Sequence, residues 1–588
     1  MVVRKLVTTA IEETWPEKGS ILFLGEWCRR YNRKEIWESL DSTVMPYHWD
    51  DRKKLFVDYQ YLQDLYEVIL AELTDKLNQI HSVNHSPRYW RILIGPWLGF
   101  FIQIIFDRWF MLKQAIEKGE TIECCIIDRD PISVVPNDMT HFSKMSIDDD
   151  WNEAIYGQLL LLCWGERVNI ERVQPQTVDS SFDSAISFGV KTAFKRRVES
   201  LIYHFNKLFS KDEDYFFISS YLPLKIDFKL QMRLGQFPKL WRSRPAPITK
   251  PDILNRQWRL SHNESKNGSF EYVVRQMISQ HIPAAYLEGY GQMVIAADLM
   301  AWPKKPKIIF TSNLYESDDL FKSWMAKKSE SGTRIVIGQH GGHFGMNPFS
   351  FHEEHQIIIA DNWLSWGWFD QTRPQITPIG MLKGFGKTVS YDPQGGALMV
   401  ELGIPRYSHH LSALPVSRQW LDYLEHQKIF LKTLPCKLRK QVLLKLDPHN
   451  YGWDQKDRWR DEMPELHIVH GHKNICKLIN KSRICISTYN ATTYLESLTW
   501  NVPTIVFWHP NHWELKEKAK PYFELLRSVG ILHETPKGAA KQMIKVWHDV
   551  SSWWESDEVQ NAREQFCDQF ALMPDNPIDE LRTLFQDI

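Results

Sequence analysis

Short, wholly apolar segments that end in polar loops constrain the fold of this chain more than any other feature. Ile484 to Ser487 and Pro503 to Trp508 are two such segments, and a stretch of helical length separates them. Uninterrupted apolar runs are typical of strands in parallel sheets, because helices cover both faces of such a sheet. The pair therefore predicts a strand, a helix and a second parallel strand of an α/β domain.

The loop between these two segments has the composition of an anion site. Its polar residues, at the strand end and the helix start, are Ser487, Thr488, Asn490, Thr492 and Thr493. A helix start offers unpaired N–H groups and the positive end of the helix dipole, so hydroxyls placed there can add donors to a phosphate. Glu496, one turn further on, could accept a hydrogen bond from a ribose hydroxyl. An ordinary capped helix is the alternative interpretation.

The same pattern recurs along much of the chain. Other predicted strands are Ile21–Gly25, Phe216–Ile226, Lys307–Thr311, Thr333–Gly338, Ala397–Leu402 and Leu466–His470. Predicted helices include Phe56–Ile80, Arg91–Glu117 with a break near Gly95–Pro96, and Ala193–Phe209. Each strand leads into a polar loop, and ligands collect at such strand ends in doubly wound sheets.

A length of 588 residues is too great for one domain. The Pro/Gly-rich stretch Tyr391–Gly396 is a plausible linker. We therefore predict two Rossmann-like domains facing a cleft. The first spans residues 1–390, with helical insertions. The second spans residues 391–588, and its terminal helices are expected to pack back on the first domain.

Composition and charge narrow the class of protein. A formal net charge of -1 gives no broad electrostatic footprint for nucleic acid. The eight Cys contain no C-x-x-C pair, which favours a reducing compartment. The N-terminus lacks an apolar signal core, and Ile92 to Phe106 is too short and interrupted to be a confident membrane span. These features predict a cytoplasmic protein, with peripheral contact at the inner face of the membrane left open.

One basic stretch bears on that membrane contact. Its charged residues are Lys239, Arg242, Arg244 and Lys250, with Trp241 among them. Such a patch could face anionic lipid or a phosphate, and a solvated loop is the alternative.

A second loop that could do chemistry is Gly338–Gly345, directly after a predicted strand. Gly341 and Gly342 allow close backbone approach, and His340 and His343 are placed to meet a ligand. Three interpretations compete: a metal site using both histidines, a structural turn, and a ligand loop in which His340 contacts a phosphate or acts as acid or base. No carboxylate completes a recognised metal spacing here, so no metal is expected.

Several other strand-end residues are candidates for the same cleft. They are Ser312, Asn313, Lys445 and His470. Glu26 follows the predicted strand Ile21–Gly25, and a carboxylate in such a position is a common general base. The chain has neither a P-loop nor a G-x-G-x-x-G motif near its first strand, which argues against P-loop and dinucleotide enzymes.

Five motifs together resemble a family of transferases from bacterial surface-polysaccharide (O-antigen and capsule) gene clusters. They are Phe23–Cys28, Gly95–Leu98, Gly338–Gly342, Asn490–Ser497 and Asn501–Trp508. The resemblance runs nearly from end to end. That family looks like a distant relative of GT-B glycosyltransferases, including those that use CMP-activated ulosonic acids such as Kdo or pseudaminic acid. It is also similar to CDP-glycerol glycerophosphotransferases, which have a His-Gly loop.

The resemblance implies a metal-independent glycosyltransferase of lipopolysaccharide or capsule biosynthesis that needs no cofactor beyond its nucleotide sugar. By analogy residues 391–588 hold the nucleotide, through Asn490, Thr492, Thr493 and Glu496, and residues 1–390 present the acceptor. His340 sits at the donor phosphate or the reacting centre, and Glu26 is the candidate base. The implied partners are a nucleotide sugar, expected to be CMP-linked, and a glycan or lipid-linked acceptor. Two alternatives stay open: a CDP-polyol phosphotransferase and a non-catalytic protein that binds a glycan precursor.

Overall fold

The predicted α/β fold class is confirmed by three parallel sheets in a computed structural model. The model describes residues 3–117, 121–175, 206, 208–260, 268–469 and 471–588. The first sheet has the strand order β3-β2-β1-β4-β5. Its strands are β1 Val3–Val7, β2 Ser20–Phe23, β3 Ser42–Val44, β4 Thr121–Ile127 and β5 Val168–Val173. The predicted strand Ile21–Gly25 therefore corresponds to β2, the second strand of this sheet along the chain.

The middle sheet is also parallel, and its strands follow one another in chain order as β10-β9-β8-β7-β6. They are β6 Phe216–Phe217, β7 Ile308–Thr311, β8 Arg334–Gly338, β9 Asn362–Ser365 and β10 Ile376–Pro378. The run predicted as one strand, Phe216–Ile226, forms only the two residues of β6. It then turns into the helix Leu224–Arg233, whose N-cap residue is Pro223. Proline is tolerated at a helix start because the N–H that it lacks would have no partner there.

The last sheet has the order β13-β12-β11-β14-β15-β16. Its strands are β11 Gly396–Val400, β12 Val442–Lys445, β13 His467–Val469, β14 Ser482–Ser487, β15 Thr504–Phe507 and β16 Leu532–His533. Two sheets thus precede residue 390, where the sequence indicated one Rossmann-like domain with helical insertions. The domain boundary near residue 390 stays a prediction.

Helices surround the sheets and join them. The longer ones before residue 390 are Arg52–His81, Pro87–Ile116, Met139–Met145, Asp149–Trp164, Leu224–Arg233, Phe270–His281, Tyr290–Asp298, Asp319–Glu330 and Phe351–Ile359. Those after it are Gln419–Thr433, Gln455–Glu462, Thr492–Thr499, Lys520–Ser528, Pro536–Val546, Asp557–Phe570 and Pro577–Asp587. The predicted helix Ala193–Phe209 lies almost entirely outside the described residues.

The helix Pro87–Ile116 is the apolar centre of the molecule. By length and composition it could cross a membrane, yet 94% of its apolar window is buried inside the protein. The break predicted near Gly95–Pro96 is wrong, because the helix continues through Pro96. The two glycines have a packing role instead: a Cβ on Gly95 would meet Tyr66, and one on Gly99 would overlap Phe351.

The C-terminal helix Pro577–Asp587 returns to the middle sheet. Its Phe585 ring lies 5.3 Å from the rings of both Phe217 and Phe310, and Leu581 is buried in the same cluster. The end of the chain therefore covers a sheet that lies before residue 390, which ties the two parts of the molecule together.

Candidate functional site

The carboxyl ends of β7 and β8 place two predicted ligand loops side by side. In parallel neighbours these ends share one edge of the sheet. Ser312 follows β7 and is buried, and its hydroxyl donates to the Ser220 carbonyl at 3.0 Å. Asn313 accepts from Ser219 at 2.6 Å and donates to the Tyr221 hydroxyl at 3.2 Å. These two side chains thus brace the middle-sheet edge through the segment that follows β6.

The loop after β8, which we call the histidine loop (residues 339–347), reaches across to the last sheet. Gly342 lies directly against the start of the Thr492–Thr499 helix: a Cβ there would be 2.5 Å from the carbonyl carbon of Ala491 and 2.6 Å from the Thr492 nitrogen. Asn347 accepts from the Asn490 amide at 3.4 Å. The two loops singled out in the sequence are therefore in contact, one from each part of the molecule.

The start of the Thr492–Thr499 helix has the features of an anion site. Its N-cap residue is Ala491, and no side chain in the described part of the protein caps it. Thr492 and Thr493 are half-buried, and the Thr493 hydroxyl lies 2.7 Å from that of Tyr489. An uncapped helix start leaves its first N–H groups available to a negatively charged ligand.

Three other residues predicted to bind the nucleotide are engaged inside the protein. Ser487 is fully buried and donates to the Tyr489 carbonyl at 3.3 Å. Thr488 donates to the Val400 carbonyl at 2.9 Å. The buried Asn490 bonds Asn347 and accepts from Tyr494 at 2.9 Å. These side chains hold the loop in shape, and their contact with a nucleotide stays a prediction.

Glu496 is buried and forms an ion pair that sequence reasoning missed. Its Oε1 lies 2.9 Å from Nζ of Lys383, in the turn Leu382–Gly384 after β10. Lys383 therefore contacts the Thr492–Thr499 helix at a residue one turn after its start. Burial is the main cause of the lowered pKa of His340, and the positive charge of Lys383 lowers this pKa further. A lone lysine in a Gly-rich segment gave no sequence signal for this position.

His340 is surrounded by protein yet keeps part of its surface accessible, as expected of a side chain that lines a crevice. The rings of Tyr221, Tyr315 and Phe344 lie around it at 6.1, 6.2 and 5.4 Å. Burial lowers the pKa of His340 to about 4, against an opposing effect of the Glu316 carboxylate. The imidazole is therefore neutral at pH 7 and can accept a proton.

Glu316 is the anionic centre of the site. Its Oε2 lies 3.2 Å from Nδ1 of His352. Burial alone would raise its pKa, but the charges of His352, His340 and His409 hold the pKa at about 2. The carboxylate therefore stays ionised at all physiological pH values and favours a positive charge on the nearby imidazoles.

Further histidines lie near Glu316 and His352, and they come from both parts of the molecule. We call all of these residues together the histidine cluster. His409 and His410 lie in the segment after β11, and the His410 ring is 4.5 Å from that of His352. Burial lowers the pKa of His409 to about 4 and that of His343 to about 3. The adjacent pair His409-His410 was the one sequence signal that could have revealed this contribution.

The cluster does not have the geometry of a metal centre. Within the described residues no group of three or more His, Cys, Asp or Glu side chains is arranged to hold a metal ion. The crevice instead combines a neutral imidazole, a fixed carboxylate, the Lys383 ammonium and a helix start. These groups together can transfer a proton and can stabilise the negative charge of a phosphate as it leaves.

Glu26 lies elsewhere in the structure. It begins the turn Glu26–Cys28 after β2 and forms an ion pair with Arg29 at 2.6 Å. No hydrogen bond or ion pair among the described residues joins it to the histidine loop. Its role as general base stays a prediction.

The edge of the last sheet holds two further ionisable groups. Lys445 ends β12 and is half-buried; burial lowers its pKa, against the opposing charge of Asp447. Glu401, after β11, is buried and accepts from Nε1 of Trp459 at 3.0 Å, and burial raises its pKa to about 8. His470 lies outside the described residues. Glu401 was missed because its sequence context reads as the end of an apolar strand.

Comparisons with known proteins agree with a transferase. A family profile described as "LIC12162 family transferase" matches residues 4–585. No curated protein matches the chain significantly.

Solved structures match only remotely. MnaA from S. aureus, solved with UDP, is 11% identical with a TM-score of 0.30, over 51% of this chain and 79% of its own. The wall teichoic acid polymerase TagF is 11% identical with a TM-score of 0.30, over 69% and 97%. WaaG, a glycosyltransferase of lipopolysaccharide biosynthesis, is 9% identical with a TM-score of 0.27, over 51% and 95%. Structural similarity with TM-scores this low does not identify the reaction.

Proposed function

Since the chain belongs to the LIC12162 family of transferases, we propose that it moves a sugar from a nucleotide-activated donor to a bacterial surface-glycan acceptor. The donor we propose is a CMP-activated ulosonic acid, and we propose a GT-B-like arrangement of the sheets around the site. The observation that carries the proposal is the contact between Gly342 and the start of the Thr492–Thr499 helix. This contact brings a proton acceptor and an anion site together in one crevice.

The donor phosphate is assigned to the start of the Thr492–Thr499 helix. The unpaired N–H groups there and the Lys383 ammonium supply positive charge to the phosphate that leaves. Because Lys383 is paired with Glu496 at 2.9 Å, a bound phosphate would share this lysine with the carboxylate. Thr492 and Thr493, which are half-buried at the helix start, are placed to donate from their hydroxyls.

His340 is assigned to the acceptor hydroxyl. The hydroxyl oxygen forms a bond to the anomeric carbon while the bond from that carbon to the phosphate oxygen breaks. The phosphate leaves with the electron pair, and the hydroxyl proton passes to the neutral His340 imidazole. The ionised Glu316 then stabilises the imidazolium that results.

The test is nucleotide binding by calorimetry, followed by product analysis. We expect CMP to bind the wild type, and Lys383→Met to weaken binding about 10-fold or more because a charge-assisted contact is lost. Lys387→Met is the matched control, since Lys387 is exposed four residues further on, and its affinity should equal that of the wild type.

Two results would contradict the assignment. Equal CMP affinity in Lys383→Met and Lys387→Met would remove the phosphate from this crevice. Transfer of phosphorus to the acceptor, traced with a labelled CDP-polyol, would identify a phosphotransferase instead, because a CMP-sugar enzyme releases all of its phosphorus as CMP.

A further inference from the structure

The helix Leu224–Arg233 exposes two adjacent rows of side chains. Leu224, Phe228 and Met232 recur every four residues and form an apolar row, in which Leu224 is 52% and Met232 56% exposed. The exposed residues Lys225, Lys229 and Arg233 form a basic row one position further on. Residues four apart lie on one face of a helix, so the two rows run side by side on the surface.

The opposite face of this helix fixes its orientation. Leu230 and Gln231 are buried, and Gln231 donates to the Lys239 carbonyl at 2.9 Å. Asp227, the one acidic residue of the helix, accepts from Ser220 at 2.7 Å and from Gln231 at 2.6 Å. The carboxylate is thereby held among protein donors, away from the basic row.

A cavity of about 610 Å³ opens beside the two rows. Met232 and Lys229 line one side, and Phe385 and Met573 line the other. Two carboxylates also border it: Asp579 lies 3.6 Å from Arg233, and Asp575 is part of the wall. The cavity therefore has apolar walls beneath a rim of mixed charge, while the helix face itself carries three cations.

We propose that this face of the Leu224–Arg233 helix docks the protein onto the surface of a membrane that contains anionic phospholipid. An apolar row beside a basic row is the pattern of a helix that lies in the interface, where the apolar side chains enter the headgroup region and the cations meet lipid phosphates. Charge complementarity thus selects an anionic bilayer as the occupant.

The docking face lies close to the reaction crevice along the chain. Phe385 and Gly386 line the cavity, and Lys383, which pairs with Glu496, precedes Phe385 by two residues. A membrane held at this face would present a lipid-linked acceptor near the histidine loop. The basic stretch singled out in the sequence is a different feature, because Lys239 is buried and paired with Asp214 at 2.7 Å, and Trp241 is also buried.

The test is co-sedimentation of the full chain with vesicles of phosphatidylcholine, with and without phosphatidylglycerol, at low and high salt. We expect binding only with phosphatidylglycerol, and weaker binding at high salt. Replacing Lys225, Lys229 and Arg233 with Gln should weaken it about 100-fold, as three cations near an anionic surface are lost. Leu224→Ser with Met232→Ser should also weaken it while leaving every cation in place.

Two matched controls are available in the chain. Lys537, Lys541 and Lys545 are exposed at the same spacing on the helix Pro536–Val546, and replacing them with Gln tests charge alone. Ile295 and Leu299 are 62% and 74% exposed, and replacing them with Ser tests apolar exposure alone. Both controls should bind vesicles as the wild type does.

Three outcomes would overturn the proposal. They are a wild type that stays in the supernatant with phosphatidylglycerol vesicles, helix variants that bind as well as the controls, and a wild-type dimer that the helix variants convert to monomer. If the basic-row variant has a lower melting temperature than the wild type, vesicle binding by the variant that carries Leu224→Ser and Met232→Ser decides the test. Transfer to a soluble acceptor reports on the proposed reaction separately, because it does not require docking.

Discussion

The first and last sheets share a topology but use it differently. In both, the second and third strands lie on one side of the first strand and the fourth and fifth on the other, and the last sheet adds a sixth strand beyond the fifth. Ligands of such sheets bind outside the carboxyl ends of the first and fourth strands, where the strand order reverses. In the first sheet, Asp149 reaches this crevice and is bound by Arg406 and Tyr407 at 2.5 Å each. Side chains from the last part of the chain thus fill it.

The corresponding region of the last sheet contains the candidate site. Its fourth strand, β14, leads into the Thr492–Thr499 helix, whose start no described side chain caps. The histidine loop lies against that start through Gly342. The crevice of the first sheet is therefore a contact between two parts of the chain, and the crevice of the last sheet is the candidate site. Changes at the first should alter stability, and changes at the second should alter activity.

The largest effect is expected from His340→Ala. Loss of the proton acceptor should lower kcat by about 100-fold to 10,000-fold with an unchanged melting temperature. Glu26→Gln is the comparison, because Glu26 lies on the first sheet and pairs with Arg29. We expect it to keep activity near that of the wild type. Steady-state kinetics on both variants decides: a collapse of kcat in Glu26→Gln with normal turnover in His340→Ala would make Glu26 the base.

Arg406→Met should lower the stability of the protein and leave the candidate site intact, which is the opposite of the effect expected from His340→Ala. Arg406 is 4% exposed and pairs with Asp149, so removing it leaves a carboxylate buried without its partner. Such losses cost about 3–5 kcal/mol of folding free energy. Arg439→Met removes a partly exposed pair with Glu465 and should cost about 1 kcal/mol or less.

Urea unfolding of both arginine variants measures these costs, and CMP binding at a temperature where both are folded measures the site. A loss of CMP affinity in Arg406→Met without a loss of stability would mean that the filled crevice is itself a ligand site.

Gly342→Ala should have an intermediate effect. A Cβ at this position would lie 2.5 Å from the Ala491 backbone, so the histidine loop and the helix start must move apart. Overpacking of this kind costs about 1–3 kcal/mol and should weaken CMP binding. Gly341→Ala is the control, because the three atoms nearest to its Cβ would be side-chain atoms of His343 and Phe344 at 3.3 Å rather than backbone. Equal CMP affinity in the two variants would show that the Gly342 contact does not shape the site.

The elements that the sequence predicted best are those with strong local patterns. The apolar runs at Ile484 and Thr333 became β14 and β8, since a buried parallel strand needs an uninterrupted apolar segment. The break at Gly95–Pro96 was predicted from the same local rules and was wrong, because neighbouring side chains pack into the space that the glycines leave.

The site was only half visible for a related reason. His340 and Thr492 stood out because each follows a strand in a polar loop. Lys383 enters the crevice from a turn whose local sequence has no distinctive spacing, and only tertiary packing brings Lys383, Glu316 and His409 together. Local patterns report where a strand ends, whereas the partners of a charged group depend on contacts between residues far apart in the chain.

The smallest expected effect is a shift in the pH dependence of kcat/KM. Burial holds the pKa of His340 at about 4, so the imidazole is a neutral base above that pH and activity should fall as the pH falls through it. Glu316 raises the pKa of His340. Glu316→Gln should therefore move the acid limb to lower pH. Glu354→Gln, which removes a carboxylate paired with Arg373 instead, should leave the limb in place.

Stability has to be followed in the same experiment. The pKa of a histidine is about 6.5 in the unfolded chain, whereas that of His340 in the folded protein is about 4. Between these two pH values the unfolded chain binds a proton that the folded protein does not. The free energy of unfolding therefore decreases as the pH falls from about 6.5 to about 4. Circular dichroism at each pH separates this loss from the catalytic limb. If activity instead falls as the pH rises through the pKa of His340 while the protein stays folded, the protonated imidazole is the active form and His340 donates a proton rather than accepting one.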